Sequence, residues 1–238
     1  MTTTSINTRN KYSTGINVFV LPDSRRRELL EALHGINEVI LRERLPMIVA
    51  SNFHVGIGSP VVINYNQYTD RALGQVLRTV ADAAPLMKLT HDLSDKHEIR
   101  WYQVADVVAP KGAADEVEIS SDCAAIARLG ILVAKPGKRD ALLSVLKSYG
   151  EALRGADARG FLGLATHRGD KPEQVACYER WQSLDAYKAA AAGAAIAALD
   201  AQVRDLTDEC ERHLYQVVEV ARFDLGQISA AASARAAE

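Results

Sequence analysis

Amide and aromatic side chains alternate along one apolar stretch of the chain, VVINYNQY at residues 61–68. Because successive strand residues point to opposite faces, Asn64, Asn66 and Tyr68 share one face. A further amide, Asn17, lies beside Phe19 in a second β-rich run. An amide buried among apolar side chains is costly unless it is hydrogen-bonded. We therefore interpret these residues as the wall of a binding pocket, with amides satisfied only by the backbone as the alternative.

Histidine supplies the candidate general base. His54 and His167 lie 113 residues apart, each just before a glycine-bearing turn. An imidazole titrates near neutral pH, so either residue could remove a proton from a bound ligand. Their occurrence at two matching positions fits a structural role equally well. His91 and His97 stand in the charged stretch HDLSDKHE, where we expect solvated side chains.

Composition and motifs exclude several classes of protein. The chain has no GxxxxGK[ST], HExxH, GxSxG or CxxC motif and no GxGxxG after a strand, so we expect no cofactor and no metal. A net charge of −2 without a basic block argues against nucleic-acid binding. The sequence has no run of about 20 apolar residues that could span a membrane. The three cysteines form no CxxC motif and leave an odd thiol, which favours a reducing cytoplasm. The polar N-terminal stretch lacks the apolar run of a secretory signal, which agrees with that location.

The chain is an internal repeat. A shift of 113 residues aligns 16–108 with 129–221 without a gap. The shift places His54 on His167 and Tyr65 on Tyr178, and it places the run Tyr-Gln-Val at 102–104 on the same three residues at 215–217. A period of this length matches a whole domain rather than a solenoid unit.

Each copy predicts the same order of elements. Short β-rich runs at 16–21 and 129–134 precede segments with leucines at helical spacing. Two strands joined by a glycine-bearing turn follow, at 47–55 and 61–68 and at 161–167 and 174–181. A second helix begins near Asp70 or Ser183, and a last strand covers 100–108 or 213–221. The order β-α-β-β-α-β is that of the α+β ferredoxin-like domain.

These elements divide the chain into five segments. We expect a mobile N-terminus (1–14), a first domain (15–108), a linker (109–125), a second domain (126–223) and a mobile tail (224–238). A four-stranded sheet with helices on one face leaves its other face bare. Two tethered copies can cover both bare faces by packing sheet to sheet, so we predict one barrel per chain, a pseudo-dimer with its helices outside.

Residues 64–68 resemble a motif of the antibiotic biosynthesis monooxygenase family, Asn-Tyr-x-Gln-Trp in the third strand. The first copy has Asn64-Tyr65-Asn66-Gln67-Tyr68, with Tyr in place of Trp. The second copy has Cys177-Tyr178-Glu179-Arg180-Trp181, which keeps Trp and loses Asn. Members of that family are ferredoxin-like domains that pair into a dimeric barrel, which agrees with the predicted layout.

The resemblance implies an enzyme of aromatic polyketide metabolism that oxidises an anthrone or quinol to a quinone with O₂ and no cofactor. Its partners would be a small aromatic substrate and O₂, and association of two chains is left open. Carried over, the catalytic positions are Asn17, Asn64, Tyr68 and His54. Substrate-binding positions would be Phe19, Asn66, Trp181 and His167. Because the second copy has Gly130 and Cys177 in place of the two amides, we expect the first copy to be the active one.

Two other functions share this fold. Haem-degrading relatives place a histidine about ten residues after the tryptophan, whereas this chain has Arg78 ten residues after Tyr68 and Ala191 ten residues after Trp181. A non-catalytic binding protein or a cyclase-like accessory protein is the other alternative, because one fold hosts many functions. The replacement of Trp by Tyr in the first copy keeps that alternative open.

Overall fold

Both repeats fold in the predicted order in the computed structural model, which describes residues 2–223. The N-terminal strand and the first repeat comprise β1 (Thr3–Ile6), β2 (Ser13–Val20), α1 (Asp23–Arg42), β3 (Ile48–Gly56), β4 (Val61–Tyr68), α2 (Leu73–Thr79), α3 (Ala83–Asp92) and β5 (Lys96–Val108). The linker strand and the second repeat comprise β6 (Val117–Ser120), β7 (Ile126–Ala134), α4 (Arg139–Gly155), β8 (Phe161–Gly169), β9 (Gln174–Trp181), α5 (Leu184–Ala191), α6 (Ala194–Asp205) and β10 (Thr207–Arg222).

The second helix of each repeat is broken into two, which the sequence pattern did not predict. In the first repeat Val80 adopts an extended conformation after α2, and α3 begins at Ala83. In the second repeat Gly193 is extended between α5 and α6. The predicted start near Ser183 is close to the observed start of α5, because the Ser183 hydroxyl caps that helix by accepting a hydrogen bond from the Ala186 amide.

Eight strands close into one barrel in the order β10-β3-β4-β2-β5-β8-β9-β7. Each repeat contributes four neighbouring strands, and antiparallel pairs β5–β8 and β10–β3 join the two repeats. The closed sheet leaves no edge strand in the barrel, and the apolar residues on the outer face of each half pack against that repeat's own helices. The predicted α+β barrel with helices outside is therefore confirmed.

Inside the barrel, each repeat supplies a histidine to a tyrosine of the other repeat. His54 Nε2 lies 2.9 Å from the Tyr178 hydroxyl, and His167 Nε2 lies 2.9 Å from the Tyr65 hydroxyl. The ring centroids of Tyr65 and Tyr178 lie 5.5 Å apart. The Asn52 carbonyl accepts from His54 Nδ1, so His54 Nε2 accepts the proton of the Tyr178 hydroxyl.

The N-terminal segment and the linker are ordered together, in contrast to the expectation of a mobile N-terminus at 1–14 and a linker without regular structure at 109–125. Strand β1 pairs with β6, and Ile6, Val117 and Ile119 are buried in the barrel core. The Thr4 hydroxyl donates to Asn52 Oδ1 at 2.8 Å. Neither segment can satisfy its backbone alone, so the two pair and close one end of the barrel. The predicted mobile tail, 224–238, lies outside the described residues.

No helix within residues 2–223 is long and apolar enough to cross a membrane.

The buried histidines make folding sensitive to acid. Burial lowers the pKa of His54 to about 3 and that of His167 to about 4, from an ordinary value of 6.5. Between pH 6.5 and 4 the unfolded chain therefore binds protons that the folded chain does not. We predict that the free energy of unfolding falls by about 1.4 kcal/mol per pH unit for each histidine as the pH drops through this window. Urea denaturation at several pH values measures this slope.

His34 provides the matched control. It is exposed, and its pKa is raised by a hydrogen bond that its Nδ1 donates to the Glu219 carboxylate, so its contribution has the opposite sign. His54→Gln should reduce the acid-side slope by about one histidine's share, whereas His34→Gln should leave that slope in place. An unchanged slope in His54→Gln would contradict the assignment of acid sensitivity to the barrel histidines.

Candidate functional site

A cavity of about 280 Å³ lies in the first repeat between the outer face of the sheet and helices α1–α3. Strands β2, β4 and β5 form its floor. Helix side chains cover it, namely Leu33, Ile36, Leu73, Leu77, Met87 and Thr90. The walls are therefore largely apolar, which suits a flat hydrophobic ligand with a few polar contacts.

The floor carries the polar residues predicted from the sequence. Asn17 and Asn64 face each other across the β2–β4 pair, and Asn66 and Tyr68 follow along the same strand. The Ser51 hydroxyl donates to Asn64 Oδ1 at 3.1 Å, which leaves the Asn64 amide protons to donate to a ligand. The sequence prediction that these four residues share one pocket agrees with this geometry.

The tyrosine of this cluster remains a neutral hydroxyl. Asn66 Nδ2 donates to the Tyr68 hydroxyl at 2.8 Å. Burial raises the pKa of Tyr68 to about 12, with hydrogen bonds from Asn66 and Asn17 acting in the opposite direction. At neutral pH Tyr68 can therefore donate a hydrogen bond, but it is not a ready base. Asn66 Oδ1 is buried without a hydrogen-bond partner among the described residues, so it can accept from a ligand.

Strand β5 brings His97 and Trp101 to the cavity, and the sequence pattern had predicted neither of them there. The imidazole of His97 stacks on Phe19 at 4.3 Å between ring centroids, and its Nε2 lies 3.4 Å from Asn17 Oδ1. Burial, followed by the nearby His91, lowers the pKa of His97, so its ring is neutral at pH 7. The prediction that His97 is solvated is therefore wrong.

The alternation His-x-Ile-x-Trp at 97–101 was the signal for this face of β5. The predicted strand began at residue 100, whereas the observed strand begins at Lys96. With the strand extended by four residues, His97, Ile99 and Trp101 fall on one face and line the cavity.

A glycine in β2 makes room for the aromatic wall. A Cβ at Gly15 would lie 2.8 Å from Tyr68 Cε2 and 3.1 Å from Trp101 Cζ3. A larger residue at this position would therefore force Tyr68 to shift and would crowd Trp101. The ring centroids of Tyr68 and Trp101 lie 5.1 Å apart with the rings tilted by 60°, so the two rings pack against each other.

His54 does not lie in this cavity, and its predicted catalytic role there is wrong. Strand alternation places Phe53 on the helix side of β3 and His54 on the barrel side. Its imidazole is fully buried and hydrogen-bonded to Tyr178 of the other repeat. The same holds for His167, which bonds to Tyr65 inside the barrel and is not available to a ligand.

Trp181 is packed in the core of the second repeat. It is fully buried between Phe161 and Tyr187, with ring centroids at 5.3 Å and 5.8 Å. Its indole Nε1 donates to Glu179 at 3.3 Å. The expectation that Trp181 binds substrate is therefore corrected: it is a core residue.

A buried ion network fills the space in the second repeat that corresponds to the cavity of the first. Arg128 donates to Glu179 at 3.0 Å and to Asp200 at 3.3 Å, and Arg212 also pairs with Asp200. These four residues stand at the positions that the repeat shift assigns to Gly15, Asn66, Met87 and Ile99. Charged side chains therefore replace the small, amide and apolar groups that leave space in the first repeat.

The described part of the chain contains no cluster of metal-binding side chains. Among residues 2–223 no three His, Cys, Asp or Glu side chains come close enough to hold a metal ion together. The polar groups of the cavity are amides, a phenol, one imidazole, the Thr90 hydroxyl and the guanidinium groups of Arg71 and Arg78. Their chemistry is hydrogen bonding and proton transfer.

Sequence comparison confirms the family resemblance for the second repeat. The sequence model of the antibiotic biosynthesis monooxygenase family matches residues 127–202. These residues run from β7 into α6, and the first repeat has the same order of elements. No curated protein matches the chain by sequence.

Solved structures share the tandem arrangement. An anthrone oxidase-like protein matches with a TM-score of 0.78 and 18% identity, covering 92% of this chain and 96% of its own. A proposed monooxygenase from Fusobacterium nucleatum matches with a TM-score of 0.65 and 10% identity, covering 89% and 94%. A proposed monooxygenase from Lactobacillus acidophilus matches with a TM-score of 0.61 and 9% identity, covering 90% and 97%. At these identities the comparisons show a common fold.

Proposed function

We propose that this protein is a monooxygenase that oxidises a polycyclic aromatic substrate of the anthrone or quinol type to a quinone with O₂, without a cofactor. The observation that carries the proposal is the first-repeat cavity, where three asparagine side chains, a neutral phenol and a neutral imidazole meet beside aromatic rings. The family match of the second repeat and the fold shared with an anthrone oxidase-like protein support it.

The substrate itself serves as the reductant in this reaction. Removal of a proton from the central CH₂ group of an anthrone gives an anion that is delocalised onto the ring oxygen. That anion passes one electron to O₂, and the resulting radical and superoxide combine to a peroxide at the same carbon. Loss of water from the peroxide leaves the quinone carbonyl. One O₂ is consumed, one oxygen atom enters the product and the other leaves as water.

The cavity provides groups for the two demands of this chemistry, a base and an oxyanion partner. His97 is neutral at pH 7 and half-buried, so it can take the proton from the substrate carbon. The amide protons of Asn64 and the neighbouring Asn17 can donate to the ring oxygen as negative charge develops there. Phe19 and Trp101 provide flat surfaces for the rings of the substrate.

The two repeats offer a matched pair of variants that tests the oxyanion role. Asn64→Ala should lower the turnover of dithranol, a simple anthrone, by about 10²-fold, because one donor to a developing oxyanion is lost. Cys177→Ala changes the equivalent position of the second repeat and should leave turnover within about twofold. O₂ consumption with metal-stripped protein measures both, alongside thermal unfolding to confirm matched stability.

Two results of that assay would reverse the proposal. Absence of O₂ uptake above the buffer rate would favour a non-catalytic binding protein of the same fold. Activity that survives Asn64→Ala and is lost in Cys177→Ala would move the site to the second repeat.

The role of His97 is tested by the pH dependence of the same reaction. Because the pKa of His97 is lowered, the base remains unprotonated at pH 6.5, and the acid limb of kcat/KM should lie below that pH. His97→Gln should remove that limb and reduce the rate by about 10²-fold or more. His91→Gln, which changes the neighbouring imidazole outside the cavity, serves as the control and should retain the limb. An acid limb that persists in His97→Gln would exclude His97 as the base.

A further inference from the structure

A residue of the second repeat pairs with a residue that lines the cavity of the first. Asp170 lies in the turn between β8 and β9, and its carboxylate pairs with both terminal nitrogens of Arg71, which lines the cavity. The Arg71 NH2–Asp170 Oδ1 distance is 3.1 Å. The backbone amide of Asp170 also donates to the Trp101 carbonyl at 3.1 Å. Asp170 is thus bonded to two neighbouring parts of the cavity wall.

Arg71 connects this ion pair to the aromatic wall. Its guanidinium carbon lies 4.9 Å from the centroid of the Trp101 ring, in cation–π geometry. Its Nε donates to the Ser13 hydroxyl at 3.0 Å. Trp101 therefore contacts both Arg71 and Tyr68. A side chain held in this way keeps one orientation as a wall for a flat ligand.

This arrangement occurs once, although the chain is duplicated. The repeat shift assigns Leu184 to the position of Arg71 and Ile57 to that of Asp170, and neither is charged. The pair therefore belongs to the half that has the open cavity. Because its two members come from different repeats, the ion pair forms only when both repeats are present.

The pair also sets the charge at the cavity. Arg71 and Arg78 line it, and no carboxylate is among its lining residues within the described chain. Asp170, just outside, compensates the positive charge of Arg71. Without that compensation Arg71 would present an unpaired guanidinium to the ligand, a group that binds carboxylates well.

We infer that Asp170 of the second repeat is a positioning and specificity residue for the cavity of the first repeat. It holds Trp101 through Arg71 and the backbone, and it compensates the charge of Arg71, so that the cavity holds an aromatic carboxylate less tightly, relative to an uncharged flat ring, than it would without Asp170. The inference rests on the proposed function only in placing the ligand in this cavity.

Two probes of similar shape test the charge preference, uncharged 2-(hydroxymethyl)anthraquinone and anionic anthraquinone-2-carboxylate. Calorimetry gives the dissociation constant of each, and their ratio is the readout. The ratio in the natural chain is the reference, because Arg78 also lines the cavity. Asp170→Asn should shift the ratio toward the carboxylate by about threefold to tenfold, as expected for a partly exposed charge. Asp140→Asn, which breaks the exposed pair with Arg168 in the same repeat, should leave the ratio unchanged.

A purely structural role for Asp170 would weaken both probes equally and leave their ratio unchanged, and that result would overturn the inference. So would a natural chain that binds neither probe. Arg71→Leu, which introduces the residue of the second repeat, should not show the gain for the carboxylate. Because binding needs no turnover, a shifted ratio without dithranol oxidation would reject the proposed function and retain the inference.

Discussion

Reciprocal histidine–tyrosine hydrogen bonds at the centre of the barrel join the two repeats, and the rest of the fold is built around them. His54 reaches Tyr178, and His167 reaches Tyr65, so each repeat satisfies a buried polar group of the other. Breaking either bond would leave a buried polar group unpaired, which is costly. Strands β1 and β6 close one end of the barrel, and a cavity of about 420 Å³ lies elsewhere along its inner face, beside Ile63, Leu129 and Tyr215. The proposed ligand site lies instead on the helix side of the sheet, where the polar groups suited to the proposed reaction are.

Duplication has allowed the two helix-side regions to diverge while the barrel interior stayed symmetric. Both histidines and both tyrosines are retained at the repeat shift, because each is bonded to the other half. On the helix side, Asn64 corresponds to Cys177, and Gly15 corresponds to Arg128. One half therefore keeps an open cavity with amides, while the other packs a buried ion network whose members compensate each other's charge.

Sequence patterns predicted the fold well and the site in part, for physical reasons that differ between residues. Strand alternation correctly grouped Asn64, Asn66 and Tyr68, because their period of two is local. The side on which His54 points depends on strand register and on a partner 124 residues away, so a general base at that position was a reasonable but wrong interpretation. His97 was missed because its strand begins in a charged stretch. Pairing between β1 and β6 joins segments far apart in sequence, which no local pattern reports.

The central claim is that one half of this duplicated chain binds the substrate, between its sheet and its helices. A crystal structure of the protein with 1,8-dihydroxyanthraquinone, the product of dithranol oxidation, tests it most directly. The account predicts one bound molecule per chain in the first repeat, stacked on Trp101 with a ring oxygen within hydrogen-bonding distance of Asn17 or Asn64. A molecule bound in the second repeat, or inside the barrel beside His54, would contradict it.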